Sequence, residues 1–281
     1  MLIIADGGAS KADWIVVKDN GEQQAITTTG FNPNYVSGEC ISEIIRHELV
    51  EKLPFEIIGK VFYYGTGCWD PGRKQIVVDA IKRELPKAEI FGSHDILAAA
   101  RATCGHQPGI ACILGTGSNS VLFDGEQVVD NVTNLGFLLG DEGSGAQIGK
   151  MFLQAFFYRE MPVELQPLIE HECPNGRKDI LDKVYAGGIP AAYLASFTQL
   201  FTGYQEHPFV RALVKKSFNE FLTRHVCKYK GHETLPVSFV GSVSYHFQGI
   251  LKEALEELGL HPGVFVKKPI GNLVKYHLEA K

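Results

Sequence analysis

Leu2-Ile3-Ile4-Ala5-Asp6-Gly7-Gly8-Ala9-Ser10-Lys11 opens the chain, and Ile110-Ala111-Cys112-Ile113-Leu114-Gly115-Thr116-Gly117-Ser118-Asn119 repeats its plan further along. Each is a short apolar strand running into a glycine turn. A second apolar strand follows, Trp14-Ile15-Val16-Val17 in the first copy and Val121-Leu122-Phe123 in the second. Next comes a hairpin signal, Asn20-Gly21 or Asp124-Gly125. Such dipeptides suit a two-residue turn, because asparagine, aspartate and glycine tolerate positive φ. The duplicated unit predicts two similar lobes facing each other, each offering backbone N–H groups to an anion. That arrangement clamps a nucleotide's phosphates from two sides.

Working outward, the spacing of Ile41, Ile44, Ile45, Leu49 and Leu53 predicts a helix stopped by Pro54. Lys60 to Tyr64 reads as a strand, Gln75 to Leu85 as a helix and Glu89 to Phe91 as a short strand. Asp95 opens an alanine-rich helix over Ile96–Ala100. A break near Gly105-His106-Gln107-Pro108-Gly109 divides a first lobe, 1–107, from a second, 108–269. In the second, Gly136–Gly145 leads into a helix with Ile148, Met151, Phe152, Ala155 and Phe156 on one side. The stretch 178–228 reads as mainly helical with Pro190 and Pro208 as interruptions. Val237–Val240 is expected to be the last strand, followed by a helix through Leu251, Leu255 and Leu258. Alternating strands and helices make both lobes α/β, with a cleft between them.

Composition narrows the partners. The 281 residues carry a formal net charge of −5, with 45% apolar and 21% charged residues. That balance argues against nucleic acid or an anionic membrane as the main partner and leaves a small anionic ligand open. No apolar run approaches the ~20 residues of a membrane helix. The N-terminus opens directly into a strand, so no signal peptide is expected. The six cysteines have no Cys-x-x-Cys spacing and read as reduced, mostly buried thiols of a cytoplasmic protein. In that compartment the glycosylation triplet Asn131-Val132-Thr133 carries no meaning.

For chemistry, the glycines let a backbone approach phosphates closely, and the hydroxyls of Ser10, Thr116 and Ser118 add donors. No Gly-x4-Gly-Lys-Ser/Thr run exists, and no Gly-x-Gly-x-x-Gly follows a strand, which sets aside P-loop and dinucleotide sites. Asp6, at a strand end beside the first turn, reads either as an Asx-turn residue or as the holder of a water on Mg²⁺. Asp95 reads either as a helix N-cap or as a general base that accepts the proton of an attacking sugar hydroxyl. Asn34, Asn119 and Asp141 are polar groups in three separate loops, as turn residues or as the converging contacts a sugar requires. His94 reads as structural.

Asp6-Gly7-Gly8-Ala9-Ser10-Lys11, Leu114-Gly115-Thr116-Gly117-Ser118-Asn119 and Gly140-Asp141-Glu142-Gly143-Ser144-Gly145 together resemble the BadF/BadG/BcrA/BcrD-type ATPase family. Within it the likeness is to the N-acetylglucosamine kinases, in the actin, hexokinase and heat-shock-chaperone superfamily. The resemblance covers essentially the whole chain. It implies a two-lobed actin-like (ribonuclease H-like) fold in which Mg²⁺–ATP and an amino sugar meet in the central cleft. On its terms Asp95 matches the catalytic aspartate, and Asn34, Thr116, Asn119 and Asp141 match sugar-contacting positions. Gly7, Gly8, Ser10 and Lys11 fall at the first phosphate turn, and Gly115, Gly117 and Ser118 at the second. Gly241-Ser242-Val243 falls at the adenosine-side turn, where Ser242 stands in place of the family's usual second glycine. The final segment, from about residue 270, would return to the first lobe as a helix. A homodimer follows from likeness alone. The expected activity is phosphorylation of an N-acetylated amino sugar on its C6 hydroxyl. N-acetylmuramic acid as substrate, and a sensor that binds ATP and sugar without transfer, are the alternatives.

Overall fold

The computed structural model describes residues 1–53, 58–186 and 189–279. Pro54, the expected helix stop, and Ala280, near the end of the expected closing helix, lie outside them. Contacts divide the chain into two compact units, Met1–Gly105 with Pro269–Lys281, and His106–Lys268.

In the first unit, β1 (Leu2–Gly7), β2 (Lys11–Val17), β3 (Gln23–Thr29), β4 (Lys60–Gly65) and β5 (Glu89–His94) form one sheet in the order β3-β2-β1-β4-β5. β1 to β3 pair antiparallel, whereas β4 and β5 run parallel to β1. The period-2 alternation of the strands sends side chains to two layers. Ile3, Ala5, Trp14, Val16, Val61 and Tyr63 pack with Ile41 of α1 (Gly38–Ile44) and with Val77, Ala80 and Ile81 of α2 (Pro71–Glu84). On the other face, Ile4, Val17 and Tyr64 pack with Ala98 and Ala102 of α3 (Asp95–Cys104). Burying each large aliphatic side chain is worth roughly 1.5–3 kcal/mol, which makes register slips costly.

Three local expectations change. α1 continues as a π-turn over Ile45–Leu49 and a 3₁₀ turn over Val50–Lys52 rather than as one α-helix. α2 begins earlier than its apolar pattern suggests, at Pro71, because Asp70 accepts from the Arg73 N–H at 3.0 Å and proline suits the first helical position. The first hairpin loop holds three residues, Asp19-Asn20-Gly21, between Lys18 and Glu22, with Gly21 at φ 85°. The second loop is shifted by one residue from the expected Asp124-Gly125 pair: the Asp124 N–H donates to Gln127 O at 3.2 Å and encloses Gly125-Glu126.

The second unit repeats the sheet. β6 (Gly109–Leu114), β7 (Ser118–Phe123), β8 (Val128–Asp130), β9 (Pro236–Val240) and β10 (His261–Val266) lie in the order β10-β9-β6-β7-β8. Renumbered from its own first strand, this is the order of the first sheet. β10 was not expected, since Pro262 and Gly263 interrupt its pattern. It is an edge strand with a register shift between Pro262 and Phe265, where proline is tolerated. Between β8 and β9 run α4 (Gly136–Leu139), α5 (Gly145–Phe157), α6 (Gln166–Glu172), α7 (Arg177–Tyr185), α8 (Pro190–Leu200) and α9 (Pro208–Arg224). Pro190 and Pro208 are first residues of helices, so they start segments rather than only interrupting them. α10 (Ser242–His246) and α11 (Gln248–Glu257) precede β10. One continuous core, including Phe152, Phe197, Phe218 and Phe239, holds this unit together.

The closing helix α12 (Ile270–Glu279) belongs to the first unit and sets Leu273 and Val274 against the α3 face of its sheet. There the Tyr64 hydroxyl meets His277 Nε2 at 2.8 Å and accepts from Arg101 at 2.6 Å. No disulfide joins the six cysteines, and Cys68, Cys112 and Cys173 are buried. Among the described residues no helix is long and apolar enough to cross a membrane.

Candidate active site

In the first unit, parallel pairing brings the ends of β1, β4 and β5 level, because Gly7 pairs with Gly65 and Gly65 with His94. The first glycine turn therefore leaves the same sheet edge as Asp95. The turn is closed by the Gly8 N–H donating to Lys11 O at 2.9 Å, and the N–H groups of Ala9 and Ser10 have no acceptor among the described residues. Gly7 owes its identity to packing. A Cβ there would sit 2.2 Å from the Tyr63 hydroxyl, which is buried without a partner among the described residues. Lys11 Nζ lies 3.3 Å from Asp13 Oδ1. Asp6 and Asp13 are directly opposed across β1 and β2, and the Thr27 hydroxyl also donates to Asp13 Oδ1 at 3.1 Å.

Asp95 is the first helical residue of α3 and not its cap. His94 is the cap, its Nδ1 accepting from the Leu97 N–H at 3.2 Å. Burial, with Lys74 and Arg101 nearby, lowers the His94 pKa to about 4, so the ring stays neutral and able to accept. Asp95 is freed for another task. Its carboxylate accepts from the Ile96 N–H at 2.8 Å, and the Thr66 side chain acts on it as a polar group that favours the ionised form. Burial raises its pKa, against the lowering effect of those groups. Thr66 in turn donates its N–H to Gly7 O at 2.9 Å, tying this neighbourhood to the turn. Asn34, on the loop before α1, is exposed, and Arg73 of α2 donates to its Oδ1.

The second unit carries the other candidates. The Gly115 N–H donates to Gly117 O at 3.0 Å, and Gly115 O and Thr116 O accept from the Gly145 and Ala146 N–H groups of α5 at 2.8 and 3.0 Å. The helix N-terminus thus grips the turn, leaving the N–H groups of Thr116 and Gly117 without an acceptor among the described residues. Asp141 Oδ1 accepts from the Ser118 N–H at 3.0 Å and from Asn134 Nδ2 at 2.8 Å. Its Oδ2 has no hydrogen-bond partner among the described residues. Burial raises the Asp141 pKa, opposed by these same two donors. Asn119, expected in a loop, lies instead in β7 opposite Ile113 because the strand begins at Ser118, and its side chain is treated similarly. Its Oδ1 accepts from the Ser120 N–H at 2.9 Å and from Asn131 Nδ2 at 3.1 Å, so its own Nδ2 remains for a ligand. Both side chains are pinned at one end and open at the other.

A cavity of about 470 Å³ adjoins this turn within the same unit. Gly115, Thr116, Gly145, Ser242 and Lys267 line it, together with Ala195, Thr198 and Gln199 on one face of α8 and Thr202 just past its end. α8 reaches this position because Gly149 of α5 has no side chain: a Cβ there would sit 1.9 Å from Leu194 O. Gly241 is demanded by backbone geometry. Its φ is 125°, and a Cβ would lie 2.3 Å from Leu114 O. The size suits a nucleoside, and the open N–H groups and Lys267 suit its phosphates. Sequence reading missed Asn131 and Asn134, for which the Asn131-Val132-Thr133-Asn134 cluster was a visible signal. It also missed Thr66 and the α8 face, which no local motif announces. Among the described residues no group of three or more His, Cys, Asp or Glu could hold a metal, so a cation at Asp6 would keep most of its water.

Comparison with known proteins decides the family. A structure of a candidate N-acetylglucosamine kinase from Porphyromonas gingivalis is 36% identical, with 99% of each chain covered and a TM-score of 0.94. The chain belongs to the N-acetylglucosamine kinase-like family. Its α/β fold of two five-stranded mixed sheets is that of the actin-like ATPases. A Chromobacterium violaceum structure described in the same terms is 16% identical over 98% of each chain, with a TM-score of 0.74, and shows the fold alone. The N-acetyl-D-glucosamine kinase of Dictyostelium discoideum is 28% identical over 164 residues. That match spans 53% of this chain and 51% of the curated relative, about half of each. No family model matches the chain.

Proposed function

We propose that this family member is an ATP-dependent sugar kinase acting on an N-acetylated amino sugar, converting N-acetylglucosamine to its 6-phosphate. One observation carries the reading: two half-pinned polar side chains, Asn119 and Asp141, flank a glycine turn with open N–H groups beside a nucleoside-sized cavity. The relatives named above support it. Mg²⁺–ATP would supply the γ-phosphoryl group and a cation to neutralise its charge. Gly115, Gly117, Ser118, Gly241 and Ser242 are assigned to the nucleotide, with Gly7, Gly8, Ser10 and Lys11 at the other phosphate turn. Asp6 would hold the cation through water. Asn34, Thr116, Asn119 and Asp141 are assigned to the sugar, where an acceptor carboxylate and a donor amide orient hydroxyls and the acetamide. Asp95 takes the proton from the attacking hydroxyl, and the open N–H groups stabilise charge on the transferred group.

The test is a panel of amino sugars incubated with ATP and analysed by mass for phosphorylated product. A phosphorylated N-acetylhexosamine is expected. ATP binding without any sugar product would instead make the protein a sensor. N-acetylmuramic acid stays as a second reading because Arg73 sets a cation on Asn34, where a lactyl carboxylate would be drawn. If that reading is correct, Arg73→Ala loses the muramic substrate and keeps N-acetylglucosamine. Asn134→Ala removes a donor to Asp141 worth about 1–2 kcal/mol, so sugar affinity measured by calorimetry should fall roughly tenfold. An unchanged Kd would detach Asp141 from the sugar.

A further inference from the structure

Asp141 is one of two non-glycine residues with positive φ among those described, at 57°. Its side chain is held by Ser118 and Asn134, and its backbone sits in a region that aspartate tolerates better than most residues but that still costs an L-residue energy, so neighbouring contacts that hold it there matter. The restraint lies in the next two residues. Glu142 is 7% exposed, and its carboxylate accepts from Arg224 Nη1 at 2.9 Å. Its other oxygen meets Nε2 of His225 at 3.2 Å, and His225 is 4% exposed. Arg224 closes α9 and His225 caps it. Gly143 follows at φ 75°, its N–H donating to Gln147 Oε1 at 2.7 Å. That same Oε1 accepts from Ser217 of α9, while Gln147 Nε2 donates to Glu220 at 2.7 Å.

We propose that the buried Glu142–His225 pair, closed by Arg224, holds the Asp141 backbone in its left-handed conformation, making Glu142 and His225 positioning residues for the sugar contact.

Stability alone does not account for the pair. Buried polar and charged contacts are commonly matched or bettered by apolar residues of the same volume, and His225 Nδ1 is buried with no partner among the described residues. What an apolar residue could not supply is a directional hold, one residue past Asp141, from two groups at the end of α9. The inference rests on the reading that Asp141 contacts sugar.

The experiment compares Glu142→Gln, His225→Phe and His225→Gln with the unaltered protein and with Asp141→Asn. Sugar KM should rise about tenfold or more in Glu142→Gln and His225→Phe, while ATP KM stays within about twofold. His225→Gln, whose amide can donate in place of Nε2, should recover most of the sugar KM. A crystal structure of His225→Phe should show Asp141 out of the left-handed region. Should His225→Phe fail to fold, Arg224→Lys makes the same comparison with a smaller change. Loss of sugar and ATP affinity together, or an Asp141 φ unchanged in the variant, would overturn the proposal. If Asp141→Asn leaves sugar KM unaltered while the variant's φ still shifts, the sugar assignment fails and the tether stands.

Discussion

Asp95→Asn is expected to bind sugar and ATP with near-normal affinity and to turn over more slowly by a factor on the order of 10²–10⁴, the usual loss for a missing general base. The amide preserves the volume of the carboxylate and can keep the Ile96 N–H bond and the Thr66 contact. What it loses is the basic oxygen pair. A pH profile sharpens the test. Burial raises the Asp95 pKa above the usual 3.8, and the base works only when ionised. Activity should therefore fall as pH drops through that raised value, and this acid limb should disappear in the variant. Thr66→Val should move the limb further up, because the hydroxyl favours the ionised form. Turnover near that of the unaltered protein in Asp95→Asn would remove Asp95 from the mechanism.

Gly241→Ala, next to the cavity proposed for the nucleotide, should be strongly damaging. The added Cβ meets a backbone oxygen, Leu114 O at 2.3 Å, and a carbonyl cannot swing aside like a side chain. The φ of 125° adds strain that alanine cannot relieve. Together these should cost about 3 kcal/mol, read as a lower urea midpoint. Because Leu114 leads directly into the Gly115 turn, ATP KM should rise more than about tenfold. Ser242, the next residue, does line the cavity; Ser242→Ala adds no such strain and should leave stability nearly unchanged. Equal urea midpoints for Gly241→Ala and the unaltered protein would show that the close approach to Leu114 is not required.

Much of the fold was legible in residue order. Leu2–Ala5 and Ile110–Leu114 alternate or run apolar over the right length, and each is followed by turn residues, so the doubled sheet could be read before any contact was known. β10 could not be read, because an edge strand containing Pro262 and Gly263 draws its stability from pairing with β9 rather than from its own pattern. Helix capping failed for a related reason. Asp95 looks like the cap of α3, but β5 runs on to His94 and delivers the histidine to that position instead. The site candidates were legible as residue types, whereas their partners were not: Thr66 reaches Asp95, and Asn134 reaches Asp141, only through strand pairing and loop closure.

By itself, then, residue order determined the duplicated strand–turn plan and the short roll of acids, amides and glycines capable of phosphoryl chemistry, because local periodicity and turn preference act over a few residues. The tertiary structure decided which atoms of those side chains are already engaged and which are left to meet a ligand. It also decided that α8, far along the chain, would wall the cavity beside Gly115. Hydrogen-bond commitment and close helix approach depend on groups distant in sequence, and only packing brings those together.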